Sequence, residues 1–242
     1  MRVKVTTEYD GSNYSGWQRQ TNSNSVQQTI EECLFKLTGR RIVIHGAGRT
    51  DAGVHAIGQV FHFDDDSIPA ERYAGALNSK LPYDIRAITS QAVDENFHSR
   101  FDAKGKRYQY KIVNQKRPIV IQRNYVWRVY KPIDIDKMKK AASELLGEHD
   151  FTSFMAARSF VSSTIREIHS IDIKKDNEQI IIDISGNGFL RSMVRIIAGT
   201  LVEMSTGQKD YRNMKKIIDA KNRLSAGITA PAGGLYLMEV YY

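Results

Sequence analysis

Apolar and polar positions alternate from the first residues of this 242-residue chain. Val3, Val5, Thr7 and Tyr9 fall at every second position, which predicts a half-buried strand over 2–9. The period then changes. Val26, Ile30, Cys33, Leu34 and Leu37 follow helical spacing behind Ser25-Val26-Gln27-Gln28, which has the form of a capping box, and Gly39 supplies a stop. Strands are expected at 41–46 and 57–63, a helix at 69–79 with Pro69 at its start, and a strand at 85–93. That order is β-α-β-β-α-β.

The second half repeats it. Tyr108, Tyr110 and Ile112 predict a strand at 106–114, and Ile135, Met138, Ala142, Leu145 and Leu146 a helix at 134–147. Strands at 165–174 and 179–185 flank the polar Lys175-Asp176-Asn177. Leu190, Met193, Val194, Ile197 and Leu201 predict a helix at 189–205. Asp210 then caps a helix carrying Met214, Ile217 and Ile218, and a last strand covers 234–241. The expected fold is α+β: two ferredoxin-like halves, 1–105 and 106–242, whose antiparallel sheets join into a continuous one with a central cleft.

Composition narrows the class. Hydrophobic residues make up 41% and charged residues 26%, as in ordinary globular proteins, which excludes collagen, a disordered tail and a disulfide scaffold. The single Cys33 closes no internal disulfide and builds no Cys-rich zinc cluster, which fits a reducing compartment. Met1–Val5 alternates instead of forming the apolar core of a secretory signal, and no stretch approaches 18 uncharged apolar residues. A soluble cytoplasmic protein is therefore expected. Its 35 Lys+Arg and 27 Asp+Glu give a net charge of +8. Residues 1–105 hold 12 basic and 13 acidic side chains; residues 106–242 hold 23 and 14. A polyanionic partner such as nucleic acid fits, as does an enzyme with a basic surface.

Three segments carry candidate chemistry. Gly46-Ala47-Gly48-Arg49-Thr50-Asp51-Ala52-Gly53-Val54-His55 packs small residues around one cation, one carboxylate and one imidazole. It matches neither a phosphate-cradling loop nor a dinucleotide fingerprint. Asp51 either caps a turn, with Arg49 at the surface, or presents a carboxylate to a substrate. Between Asp94 and Tyr110 basic and aromatic residues interleave, the arrangement that pairs phosphate contacts with base stacking. For either tyrosine there taken alone, Tyr108 or Tyr110, packing in the core of a half-buried strand is the more ordinary role. Lastly, Arg191 and Arg195, four apart on the expected helix, either meet an anionic partner or reach solvent. Asp64-Asp65-Asp66 reads as a solvated turn, and the six histidines show no His-x-x-x-His pair.

At Gly48-Arg49-Thr50-Asp51-Ala52-Gly53-Val54-His55 the chain closely resembles the tRNA pseudouridine synthase A family. The likeness continues through Glu8-Tyr9-Asp10-Gly11, Tyr14-Ser15-Gly16-Trp17-Gln18-Arg19-Gln20, Asn96-Phe97-His98-Ser99-Arg100-Phe101 and Arg107-Tyr108-Gln109-Tyr110. It runs on through Leu146–Phe154, Phe189–Arg195 and Gly234-Leu235-Tyr236-Leu237. Gly188 stands where alanine is common, and Arg191-Ser192 replaces a more His-rich pair. The resemblance implies isomerisation of uridine to pseudouridine at tRNA positions 38–40, by a homodimer with no metal and no organic cofactor. It implies Asp51 as the catalytic aspartate and Tyr108 as the tyrosine packed on the target base. Arg195 is then the arginine paired with the carboxylate, and Arg49 the one that handles the flipped base. A non-catalytic RNA-binding protein and a nucleoside hydrolase are the competing readings; the first has no use for a carboxylate beside RNA, and the second releases free uracil.

Overall fold

The computed structural model describes residues 1–157, 159 and 161–242. Alternation becomes a strand at once: β1, Arg2–Tyr9, buries Val3, Val5, Thr7 and Tyr9 on one face. α1, Val26–Thr38, starts where the Ser25 side chain accepts from the Gln28 amide and stops at Gly39, whose φ of 72° suits glycine. Only half of the expected capping box forms. The Gln28 side chain donates forward to Glu32 instead of back to Ser25.

The strand expected over 41–46 shrinks to β2, His45–Gly46. Side chains of α1 take the backbone groups that would extend it: Ile44 N–H donates to Glu31 Oε1 (3.2 Å), and Gln27 Nε2 donates to the Ile44 carbonyl (3.2 Å). β3 is longer than expected, His55–Asp64. The helix expected from 69 begins as a single 3-10 turn, Ala70–Arg72, before α2, Tyr73–Asn78, and β4 covers Ile85–Val93. β1 lies between β3 and β4, antiparallel to both, and β2 pairs antiparallel with β3. Asp64-Asp65-Asp66 is not simply a solvated turn. Asp65 is buried, accepting from Tyr73 and Ser67; burial pushes its carboxyl up, but these bonds win and hold it below the usual range.

In the second half, β5 is Gly105–Asn114, β6 Trp127–Val129 and α3 Ile135–Ser143, capped by Asp134. The helix expected to reach 147 ends early. Leu145 and Leu146 close tight turns onto Ala142 and Ser143, and Gly147, at φ 89°, opens β7, Gly147–Asp150. β8, Ile165–Asp176, and β9, Gln179–Gly186, form a hairpin with Asn177 at φ 51°. β9 lies between β5 and β8, and β7 pairs with β8, all antiparallel; β6 runs parallel to β5.

α4 is Met193–Ser205 instead of 189–205, because Ser192 adopts a left-handed conformation at φ 58°. Arg191 is therefore off the helix and does not share a face with Arg195. Asp210 caps a 3-10 turn that leads into α5, Met214–Asp219. β10, Leu235–Tyr241, pairs in parallel with β3 through Tyr236 and Leu237. The chain thus divides into Met1–Lys104 with Tyr236–Tyr242, and Gly105–Leu235. The last strand, expected with 106–242, belongs to the first unit. Both units are mixed α+β with mostly antiparallel sheets. Among the described residues no helix is long and apolar enough to cross a membrane.

Candidate active site

In the first unit, eight residues join β2 to β3, with Asp51 at their centre. Their backbone is held from beneath. Trp17 N–H donates to the Thr50 carbonyl (3.1 Å), Gly53 N–H to the Tyr14 carbonyl (3.3 Å), and Val54 N–H closes the turn onto the Asp51 carbonyl (3.1 Å). Gly16 lies directly under this turn. A Cβ there would sit 2.5 Å from the Thr50 oxygen, and its φ of 96° already excludes most side chains.

Side chains complete the support. The Tyr9 and Thr50 hydroxyls hydrogen-bond at 2.8 Å in a buried setting. Gln59, fully buried on β3, donates to the Gly48 carbonyl (2.9 Å) and accepts from Val60 N–H (3.2 Å). Burial pushes the Tyr9 phenol up to about 12, with the Thr50 hydroxyl and the Gln59 amide acting against it, so the phenol keeps its proton. Thr50 is thereby fixed through both its carbonyl and its hydroxyl, and Asp51 follows it in the chain. Asp51 is half-buried and Arg49 exposed. His55 is buried, stacked on Tyr236 at 4.8 Å, and its Nδ1 accepts from Gly11 N–H (3.1 Å). This imidazole braces the loop's far end.

In the second unit, alternation along β5 buries Tyr108, Tyr110 and Ile112 and leaves Arg107 and Lys111 half-buried on the other face. The Tyr108 ring meets Phe189 edge-to-face at 5.1 Å, and Tyr110 donates to the Pro231 carbonyl (2.7 Å). Arg195, in the first turn of α4, donates through Nε to the Ala230 carbonyl (2.8 Å), while Ala230 N–H donates to the Arg195 carbonyl (3.1 Å). This reciprocal pair sets the guanidinium plane. Burial pushes the Tyr110 phenol far above its ordinary range, with the Arg195 charge opposing.

Of the residues singled out by sequence, Asp51 and Arg49 share the first unit's loop, and Tyr108 and Arg195 belong to the second unit. Sequence reasoning missed Tyr9 and Gln59, read only as strand positions, and the Phe189 ring beside Tyr108. It also missed a cluster of histidines. His45, His62 and His98 gather with ring centroids 4.7–5.8 Å apart, at spacings no sequence pattern flags.

A family model described as tRNA pseudouridine synthase matches residues 5–102 and 141–242. The chain is 46% identical over 241 residues to tRNA pseudouridine synthase A of Thermoanaerobacter sp. (strain X514), covering 99% of each. It is 46% identical over 245 residues to that of Bacillus pumilus (strain SAFR-032), covering 100% of this chain and 99% of the relative. To that of Wolbachia sp. subsp. Drosophila simulans (strain wRi) it is 44% identical over 245 residues, covering 100% of each. The chain belongs to the tRNA pseudouridine synthases, isomerases that convert uridine to pseudouridine in tRNA.

Proposed function

We propose that this enzyme acts on uridines 38, 39 and 40 of the tRNA anticodon stem-loop, with Asp51 as the nucleophile. The N1–C1′ bond of the uridine breaks, the uracil turns, and C5 bonds to C1′. The C5 proton leaves and N1 gains one. No electrons are exchanged with another molecule, so no redox cofactor is called for. A carboxylate serves this sequence by attacking C1′, by attacking C6, or by helping to remove a ribose proton; each route requires it at a fixed place.

One observation carries the reading. Asp51 is a half-buried carboxylate on backbone anchored by the buried Tyr9–Thr50 and Gln59–Gly48 hydrogen bonds. Tyr108 supplies a ring for stacking and a hydroxyl for proton transfer at C5. Arg195, its guanidinium plane set by Ala230, serves as the cation for the reacting carboxylate. Arg49, exposed on the same loop as Asp51, fills the space a flipped base leaves, at a flipping cost of a few kcal/mol. The family resemblance also supports a homodimer, and the solitary Cys33 a cytoplasmic setting.

The test is to map pseudouridine in tRNA transcripts incubated with the enzyme and with Asp51→Asn. Product at 38, 39 and 40 with the parent, and none with the variant, is expected. Full modification by Asp51→Asn sinks the nucleophile, and product at other positions sinks the site assignment.

A further inference from the structure

The positive charge of this chain comes from one stretch. Between Asp102 and Asp134 lie nine Lys or Arg residues and no Asp or Glu; the remainder of the chain holds 26 basic and 27 acidic residues. That stretch contains β5, β6 and the loop 115–126 between them, and it falls inside the gap, 103–140, that the family model leaves unmatched.

The loop is folded, not trailing. Arg128 Nη1 donates to the Lys116 carbonyl (2.9 Å), Arg123 Nη1 to the Val120 carbonyl (2.8 Å), and Gln115 Nε2 to the Arg117 carbonyl (3.0 Å). Lys116, Arg117 and Arg123 are exposed, and among the described residues none of them has a carboxylate within ion-pair distance. Many cations elsewhere are paired: Arg2 with Asp64, Arg19 with Glu31, Arg40 with Asp65, Arg212 with Asp210 and Lys221 with Asp150. Arg107, at the start of the stretch, reaches Asp183 at 3.7 Å. At the loop tip Val120 and Ile121 are 70% and 88% exposed.

We propose that the loop 115–126 is an RNA-docking element, in which Lys116, Arg117 and Arg123 engage substrate phosphates and Ile121 lies against ribose. Unneutralised cations on a folded loop are what phosphate contacts need, because binding releases counterions from the RNA. The same charges argue against this loop meeting its own copy across a two-fold axis, where like charges would face each other. The inference rests on tRNA as substrate and not on the role of Asp51, so each stands or fails alone.

The variant Lys116→Gln/Arg117→Gln/Arg123→Gln tests it by tRNA binding from 50 to 300 mM salt, with single-turnover rates at saturating tRNA. Affinity is expected to fall at least about tenfold at 100 mM salt, and the slope of log affinity against log salt to shrink by about 2–3. The loss should lie in affinity and not in the saturating rate. Parental affinity and slope overturn the proposal, as does a loss of affinity with the slope unchanged. Ile121→Ser, examined by sedimentation, separates the other occupant: dissociation of an oligomer with tRNA affinity retained makes the loop a contact between copies and overturns RNA docking.

Discussion

Beneath Asp51 the polar groups of Tyr9, Thr50 and Gln59 are buried and bonded to one another or to loop backbone, whereas Lys116, Arg117 and Arg123 stand in solvent with no carboxylate partner among the described residues. Both segments are loops between strands. The first uses polarity to fix geometry: a buried hydroxyl that loses its partner costs about 1–3 kcal/mol, so alternative loop conformations are penalised. The second holds charge that adds little to folding but acts on a polyanion at a distance. Damage to the first should therefore appear in stability and rate, and damage to the second in affinity and salt dependence.

The largest effect on stability is expected at Gly16. Gly16→Ala forces a Cβ toward the Thr50 oxygen at a φ of 96° and should cost about 3 kcal/mol or more, read as a lowered urea midpoint. An unchanged midpoint means that the loop is not seated as described. Thr50→Val and Tyr9→Phe come next. Each removes one hydroxyl of the 2.8 Å pair and should slow single-turnover modification about 10–100-fold at unchanged tRNA affinity. Thr50→Ser should restore the rate. The two losses should not add in the double variant, because both break one bond. Additive losses separate the two hydroxyls and weaken the case for a shared clamp.

The histidine cluster sharpens the comparison along pH. His62 is buried, with Nδ1 accepting from Ser99 N–H (3.2 Å), and burial, followed by His98 and His45, pushes its imidazole down to about 4. The unfolded chain takes up that proton near 6.5. Stability present above pH 6.5 is therefore lost as pH falls toward 4, by on the order of a few kcal/mol. His62→Asn keeps an acceptor for Ser99 N–H and should flatten the fall between urea midpoints at pH 7 and pH 4.5. An equally steep fall in that variant assigns the sensitivity elsewhere. The smallest effect is expected for Arg212→Ala, which breaks the surface pair with Asp210 (2.8 Å) and should leave the thermal midpoint unchanged.

Periodicity located most strands and helices because one face of each is buried, as in β1 and β5. It failed where side chains or single residues overrode the period. Glu31 and Gln27 occupy the backbone of Ile44, Gly147 turns the chain out of α3, and Ser192 delays α4 and takes Arg191 off its face. The Asp51 loop was legible in its small residues and isolated charges. Its support was not, since Tyr9 and Thr50 are 41 residues apart and their bond leaves no local signal. Net charge by halves was a coarse guide. It placed the excess in residues 106–242, but the finer feature is one acid-free stretch in which Lys116, Arg117 and Arg123, among the described residues, have no carboxylate within ion-pair distance.

The most direct test measures tRNA affinity and saturating single-turnover rate side by side for Asp51→Asn and the Lys116/Arg117/Arg123 triple glutamine variant. Asp51→Asn should lose at least about 1,000-fold in rate and keep its affinity, while the triple variant should lose affinity and keep its rate. Rate and affinity falling together in both variants would contradict the division of labour between the two loops.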